Sequence, residues 1–370
     1  MNKKLELPRG VGPIGLEITH RWVTAAQLRG AGRGSAARLL GVLRWSRPTP
    51  GAALHAEEAE RIAGALDRAG FAGESVVVNA PEDALLSAVL ELPPRSSKAP
   101  IERLAMNEMA RLHRRETGTF GMAMWDLPAS DRGRAGTTAM AVALPDGACE
   151  GTLSALEGAG LRAVAVEPRA CAVGRACGAF ARGMQGLVGV LDLGWTHTLL
   201  MLLHVAGDES VVVYERRIDE GAYSGVVQHL RERLGLDESA AEAALRTCSE
   251  DGGRINPKIT ELLRTVRRYQ SDFFDALLPE VHRSFSYAVQ RYPAASLCGV
   301  CLTGEGAAVR GLRSRVASAL SVDAWRVCAR DVAAVHERSA LGGDAASVGA
   351  IGLAAYEPGA ASPGTEGAKE

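Results

Sequence analysis

Two stretches of the chain, Ile14 to Leu28 and Leu187 to Val205, share one pattern: an apolar run, a short polar turn, and a second apolar run. Each reads as strand, turn, strand, and each is followed by further strands and then helix. An internal duplication follows from that repeat, and with it an α/β fold with two related lobes. The second opening carries the most chemistry. Asp192, Gly194, Thr196 and Thr198 lie between its two apolar runs. Gly194 lets a backbone approach a ligand closely, and successive turn N–H groups can form an anion-binding nest. Thr196 and Thr198 add hydroxyl donors, and Asp192 is placed to orient a magnesium ion through water. The same composition also suits an ordinary hairpin, whose turns favour Asp and Gly.

At 370 residues the chain has room for about two domains of ordinary size. Hydrophobic residues make up 47% and charged residues 23%, a globular profile able to bury a sizeable core. A net charge of −1 gives no overall field for nucleic acid or anionic lipid. Arg264, Arg267 and Arg268 share one helical face by spacing and read as a solvated surface. Seven cysteines at irregular spacing form no disulfide framework and fit a reduced, cytosolic setting. Cys298 and Cys301 have redox-like spacing, but residues three apart on a strand face opposite ways, so both read as buried small hydrophobes. The first twelve residues lack the apolar core of a signal peptide, and no apolar run reaches the length of a membrane span.

Along the chain, helical spacing runs from His55 to Ala69, and Ser75 to Asn79 is a short buried strand. A unit with its own rhythm comes next: strand Leu85–Leu92, helix from Ile101 to Leu112, strands Phe120–Trp125 and Thr137–Leu144. A helix that Asp146 would N-cap and a strand Leu161–Val166 complete it. After a small-residue helix, Arg169 to Ala181, the second lobe holds three strands, two helices, and a long amphipathic helix from Asp272 to Arg291. Pro279 is expected to kink or break that last helix. The organisation predicted is a first lobe over 13–81 and 167–185, an inserted α+β module over 82–166, a second lobe over 186–356, and a disordered tail over 357–370.

These residues resemble the actin-like ATPase superfamily and, within it, the branch of the type IV pilus assembly protein PilM and the cell-division protein FtsA. Gly15-Leu-Glu-Ile-Thr19 resembles the first phosphate loop and Val190-Leu-Asp-Leu-Gly-Trp-Thr-His-Thr198 the second. Leu302-Thr-Gly-Glu-Gly-Ala307 resembles the adenosine turn, and Val348-Gly-Ala-Ile-Gly-Leu-Ala354 the last connecting helix. The resemblance implies a two-lobed, ribonuclease H-like α/β fold with ATP and Mg2+ in a cleft between the lobes. It places Gly15, Glu17, Thr19, Asp192, Gly194, Thr196, Thr198, Gly304 and Gly306 around the nucleotide, with Glu17 and Asp192 toward the metal. It also implies a cytoplasmic protein peripheral to the inner membrane through a partner. That partner would be a PilN-like membrane protein, whose N-terminal segment lies in a groove bordered by the inserted module. A homo-oligomer is compatible with this reading.

The pattern is broken where the chemistry would be done. Glu17 is one methylene longer than the family's Asp, and Thr19 and Thr24 stand where the family carries Gly and Lys. Glu305 adds negative charge in the adenosine turn, and a Gly pair after the second lobe's third strand is reduced to Gly221. Weak nucleotide binding and slow or absent hydrolysis are therefore expected. The alternatives are an active ATPase or small-molecule kinase of the same fold, for which no substrate-lobe carboxylate stands out, and an FtsA-like membrane scaffold. The polar tail, which has no apolar face, argues against the latter. Trp22 and Trp195, at matching places in the two turns, either shield a cleft or cap their hairpins.

Overall fold

The alternating apolar runs of both openings form antiparallel hairpins in a computed structural model, which describes residues 10–30, 37–128, 136–247, 260–335 and 344–357. The predicted tail over 357–370 lies outside these residues except for Glu357, as does the Arg267 side chain. β1 (Val11–Ile18) and β2 (Trp22–Arg29) pair with Leu16 opposite Ala25 and Glu17 opposite Thr24. β3 (Arg38–Ser46) extends the hairpin on one side, and β4 (Ser75–Asn79) joins β1 in parallel on the other. β9 (Gln185–Leu193), β10 (Thr198–Ala206) and β11 (Glu209–Ile218) repeat the arrangement. The strands introduced below complete two five-stranded sheets, ordered β3-β2-β1-β4-β8 and β11-β10-β9-β12-β13. One order twice is the structural form of the duplication read from the sequence.

The chain divides into two compact units, one running to Ala172 and resuming at Ala350, the other spanning Val173 to Gly349. In the first, period-2 alternation sends Ile14 and Leu16 to one face of the sheet, against Ile62 and Leu66 of α1 (Ala56–Arg68) and Leu156 of α3 (Glu150–Gly158). Gly15 and Glu17 point to the other face. There Val77 packs with Ala172 of α4 (Arg169–Phe180) and Leu353 of α10 (Val348–Ala354).

Between β4 and β8 (Arg162–Glu167) lies the insertion. β5 (Leu86–Leu92), β6 (Phe120–Asp126) and β7 (Thr137–Pro145) form an antiparallel sheet in the order β5-β7-β6. α2 (Ile101–Leu112) covers it, burying Ile101, Ala105 and Met109 against Leu90, Ala139 and Ala141. The module is smaller than the predicted 82–166 span. β8 pairs in parallel with β4, and Leu156 of α3 and Leu161 pack into the first unit's core. A helix feeding a parallel edge strand has the same pattern in sequence whether it closes an insertion or resumes the parent sheet. Asp146 does not cap α3, whose N-cap position is Cys149.

The second unit adds α5 (Tyr223–Leu234), α6 (Glu238–Thr247) and α7 (Thr260–Val289). It continues through β12 (Leu297–Thr303), α8 (Leu312–Leu320), β13 (Asp323–Arg326) and α9 (Ala329–Val332). α7 is longer than its predicted span and runs through Pro279 without a break. Its buried stripe of Phe274, Leu277, Val281 and Phe285 continues on both sides of the proline, so packing holds the two halves in one helix. β13, four residues long, is too short for a periodicity reading to find.

Candidate functional site

In the first unit Glu17 and Thr19 sit at the carboxyl end of β1, beside those of the parallel strands β4 and β8, where ligands of open α/β sheets are commonly held. Gly15 is not in the turn. It lies inside β1 opposite Val77, and a Cβ added there would overlap the Ala350 carbonyl oxygen and the Ala354 amide nitrogen. Its bareness admits α10 against the sheet. Thr19 closes the turn: its N–H donates to the Trp22 carbonyl at 2.9 Å, and its hydroxyl donates to the same oxygen at 3.1 Å. The Trp22 N–H donates back to the Thr19 hydroxyl at 3.2 Å. A β-branched residue is tolerated because Thr19 stays out of the left-handed region, which among the described non-glycine residues only Arg114 and Ser321 adopt.

Glu17 is 1% exposed, and its carboxylate accepts from the Arg169 guanidinium at the start of α4. The same guanidinium lies 3.9 Å from Glu82. Asn79, last residue of β4, brackets the end of β1: its amide oxygen accepts from the Ile18 N–H at 2.7 Å, and its NH2 donates to the Ile18 carbonyl at 3.1 Å. Arg47 holds the turn from the other side. It makes two 2.9 Å bonds to the Glu58 carboxylate and donates to the carbonyls of Thr19 and Ala52. Trp22 is stacked beneath Arg44 of β3, whose guanidinium carbon is 4.3 Å from the ring centre.

The second unit brings Asp192, Gly194, Thr198, Gly304 and Gly306 together. Asp192 is 2% exposed at the end of β9, in register with Thr303 of the parallel strand β12. Gly304, at φ +85°, leaves room for β9: a Cβ on it would lie 2.6 Å from Asp192 Oδ1 and 2.7 Å from the Leu193 carbonyl oxygen. A Cβ on Gly306 would stand 2.9 Å from the Leu193 side chain. The Gly194 N–H donates to the carbonyls of Asp192 and His197, closing the turn. α5 meets this turn with its N-terminal amides, as Tyr223 N–H donates to the Gly194 carbonyl and Ser224 N–H to the Trp195 carbonyl, both at 3.0 Å. Thr198 is fully buried and donates its hydroxyl to the Gly221 carbonyl at 2.6 Å. Thr196 is exposed, with its hydroxyl 3.0 Å from His197 Nδ1. Trp195 packs edge-on against Tyr223 at 5.9 Å. Behind Asp192 lies Cys177 of α4, whose thiol pKa is pushed well up by its hydrogen bond with Cys301, by burial, and by the neighbouring carboxylate.

No protein-family model matches the chain, and no curated protein matches it. Solved structures do. A chain of the PilM–PilN type IV pilus biogenesis complex aligns with TM-score 0.73 and 24% identity, over 94% of this chain and all of that one. The ethanolamine utilization protein EutJ from Carboxydothermus hydrogenoformans aligns with TM-score 0.52 and 11% identity, over 95% of this chain and 91% of that one. The fold is actin-like.

Within an actin-like chain, Glu17 and Asp192 occupy corresponding places, each near the carboxyl end of the first strand of its sheet. Arg169, Asn79 and Arg47, which fix the first of these places, were not singled out in the sequence. One signal was present. A carboxylate inside the apolar run Ile14–Ile18 needs a buried cation or donor, and the first arginine after the Glu167-Pro168 return is a natural source.

Proposed function

We propose that the chain is a PilM-like assembly scaffold of a type IV pilus or a related secretion system, which acts by holding a peptide rather than by turning over nucleotide. The observation that carries this reading is the extent of the structural match to the pilus complex chain. It leaves too little of this chain out to have skipped the β5–α2–β6–β7 module. The partner proposed is the short N-terminal segment of a PilN-like inner-membrane protein, which would keep the chain at the cytoplasmic face of that membrane. No described helix is long and apolar enough to cross a membrane itself.

The groups at the two turns fit ATP and Mg2+ poorly. Glu17 is already neutralised by Arg169, and Thr19 and Thr198 direct their hydroxyls at backbone carbonyls. The Gly194 amide and the first amides of α5 serve the turn itself. An anion arriving there would have to displace intramolecular bonds rather than fill vacant donors.

The test is a titration. A fluorescent peptide copying the N-terminal segment of a single-span membrane protein encoded beside this one is added to the purified chain, with and without ATP and Mg2+. Saturable binding indifferent to nucleotide, with no phosphate release, is expected. Phosphate release that Asp192→Ala abolishes would instead favour the active ATPase or kinase.

A further inference from the structure

Glu17, Arg169 and Glu82 form a titratable cluster at the carboxyl end of β1 that the scaffold reading leaves unused. Glu17 is in effect a core residue, and a carboxylate taken so far out of water must be compensated by a cation or by strong donors. Its partner is the first residue of α4. A helix N-terminus carries a partial positive charge, so an arginine there is electrostatically misplaced unless an anion faces it. α4 has no acidic residue in its first turn, and Glu17 supplies that anion from across the sheet. The carboxylate serves the guanidinium and the helix end together, and Glu82 at 3.9 Å adds a second negative group.

The surroundings leave Glu17 little freedom to turn elsewhere. Asn79 clamps the N–H and carbonyl of the next residue, Ile18, and Arg47 donates to the carbonyl of the residue after that. Strand alternation then fixes the face on which Glu17 projects. Its side chain meets Arg169, whose planar fork remains charged at any pH a protein survives.

We propose that Arg169 is a built-in cation: it neutralises Glu17 at the end of β1 in place of a hydrated divalent metal, so that this buried carboxylate has its counter-charge without one. A metal seeking the same carboxylate would have to expel the guanidinium, because two cations cannot share it without strong repulsion. Arg169 is thus a determinant of specificity against metal-bound ligands at this strand end. The inference stands whether or not a partner peptide binds the protein.

The test uses the intact chain, stripped with chelator, and reads melting temperature with and without Mn2+, backed by direct Mn2+ titration. The wild-type melting temperature should not rise with Mn2+. Arg169→Gln should melt lower than wild type, and Mn2+ should raise it. That rise should vanish in the Arg169→Gln/Glu17→Gln double variant. Arg169→Lys, which keeps the charge and loses the fork, should recover part of the stability and stay insensitive to Mn2+. Should Arg169→Gln not fold, the wild-type and lysine forms still decide the matter. Stabilisation of the wild type by Mn2+ that Glu17→Gln abolishes would overturn the proposal. So would a folded Arg169→Gln protein that ignores Mn2+.

Discussion

Gly15→Ala separates two roles for a residue that sequence alone assigns to a phosphate loop. In the structure the added methyl would overlap the Ala350 oxygen and the Ala354 nitrogen and stand 3.0 Å from Ala354 Cα. All three are backbone atoms, so no side chain can rotate away, and α10 itself must retreat. Its far side is blocked as well, since Gly352 packs bare against the Ala172 carbonyl of α4. Overfilling a packed core costs about 1–3 kcal/mol and occasionally more, and a helix gripped from both sides belongs at the upper end, about 3 kcal/mol. For a unit of this size that corresponds to a fall of roughly 6–12 °C in melting temperature. The assay is thermal unfolding alongside a urea titration, with Gly121→Ala as control, because nothing lies within 4 Å of a Cβ there. The control should melt as wild type does. A Gly15→Ala protein of wild-type stability that differs only in nucleotide affinity would refute the packing argument and restore the phosphate-loop role.

Arg47→Ala should cost about 3–5 kcal/mol, because it leaves the Glu58 carboxylate buried without its cation; Arg47→Met with Glu58→Leu should recover most of that in denaturant melts. Thr198→Val keeps the side-chain shape but strips the Gly221 carbonyl of its donor, and a loss of about 1–3 kcal/mol in urea unfolding is expected. Cys177, its pKa raised in the folded state, resists ionisation that the unfolded chain allows. The folded form is therefore fully favoured below the ordinary thiol pKa and loses ground as the pH rises beyond about 9. A melting-temperature profile from pH 7 to 10 should fall less steeply for Cys177→Ala than for wild type.

Periodicity exposed most of the scaffold because buried strands and amphipathic helices are local patterns. Ser75–Asn79 runs as the residue spacing predicts, the two helices expected after the second lobe's three strands are α5 and α6, and Asp237 caps α6 by accepting from the Ala240 N–H at 2.7 Å. Which sheet a strand joins is not local, and β8 was misplaced for that reason. The candidate site was legible as a set of turns and illegible as a set of bonds. A glycine that admits a ligand looks the same in sequence as one that admits a neighbouring element, and Gly15 and Gly304 are bare for α10 and for β9. Likewise, a threonine hydroxyl can serve a phosphate or a carbonyl, and only the fold places the Gly221 carbonyl beside Thr198. Glu17 and Arg169 are 152 positions apart, and no pattern in either neighbourhood names the other.

α10 reaches the first unit from near the far end of the chain, and this sets an order of events during translation. Residues 173 to 349 are contiguous and can condense as soon as they leave the ribosome. The β1 face around Gly15, made more than 300 residues earlier, must wait bare until Ala350–Ala354 emerges to cover it. A chain ended just before Val348 and released from the ribosome should therefore yield to protease in its oldest strands while the younger sheet resists.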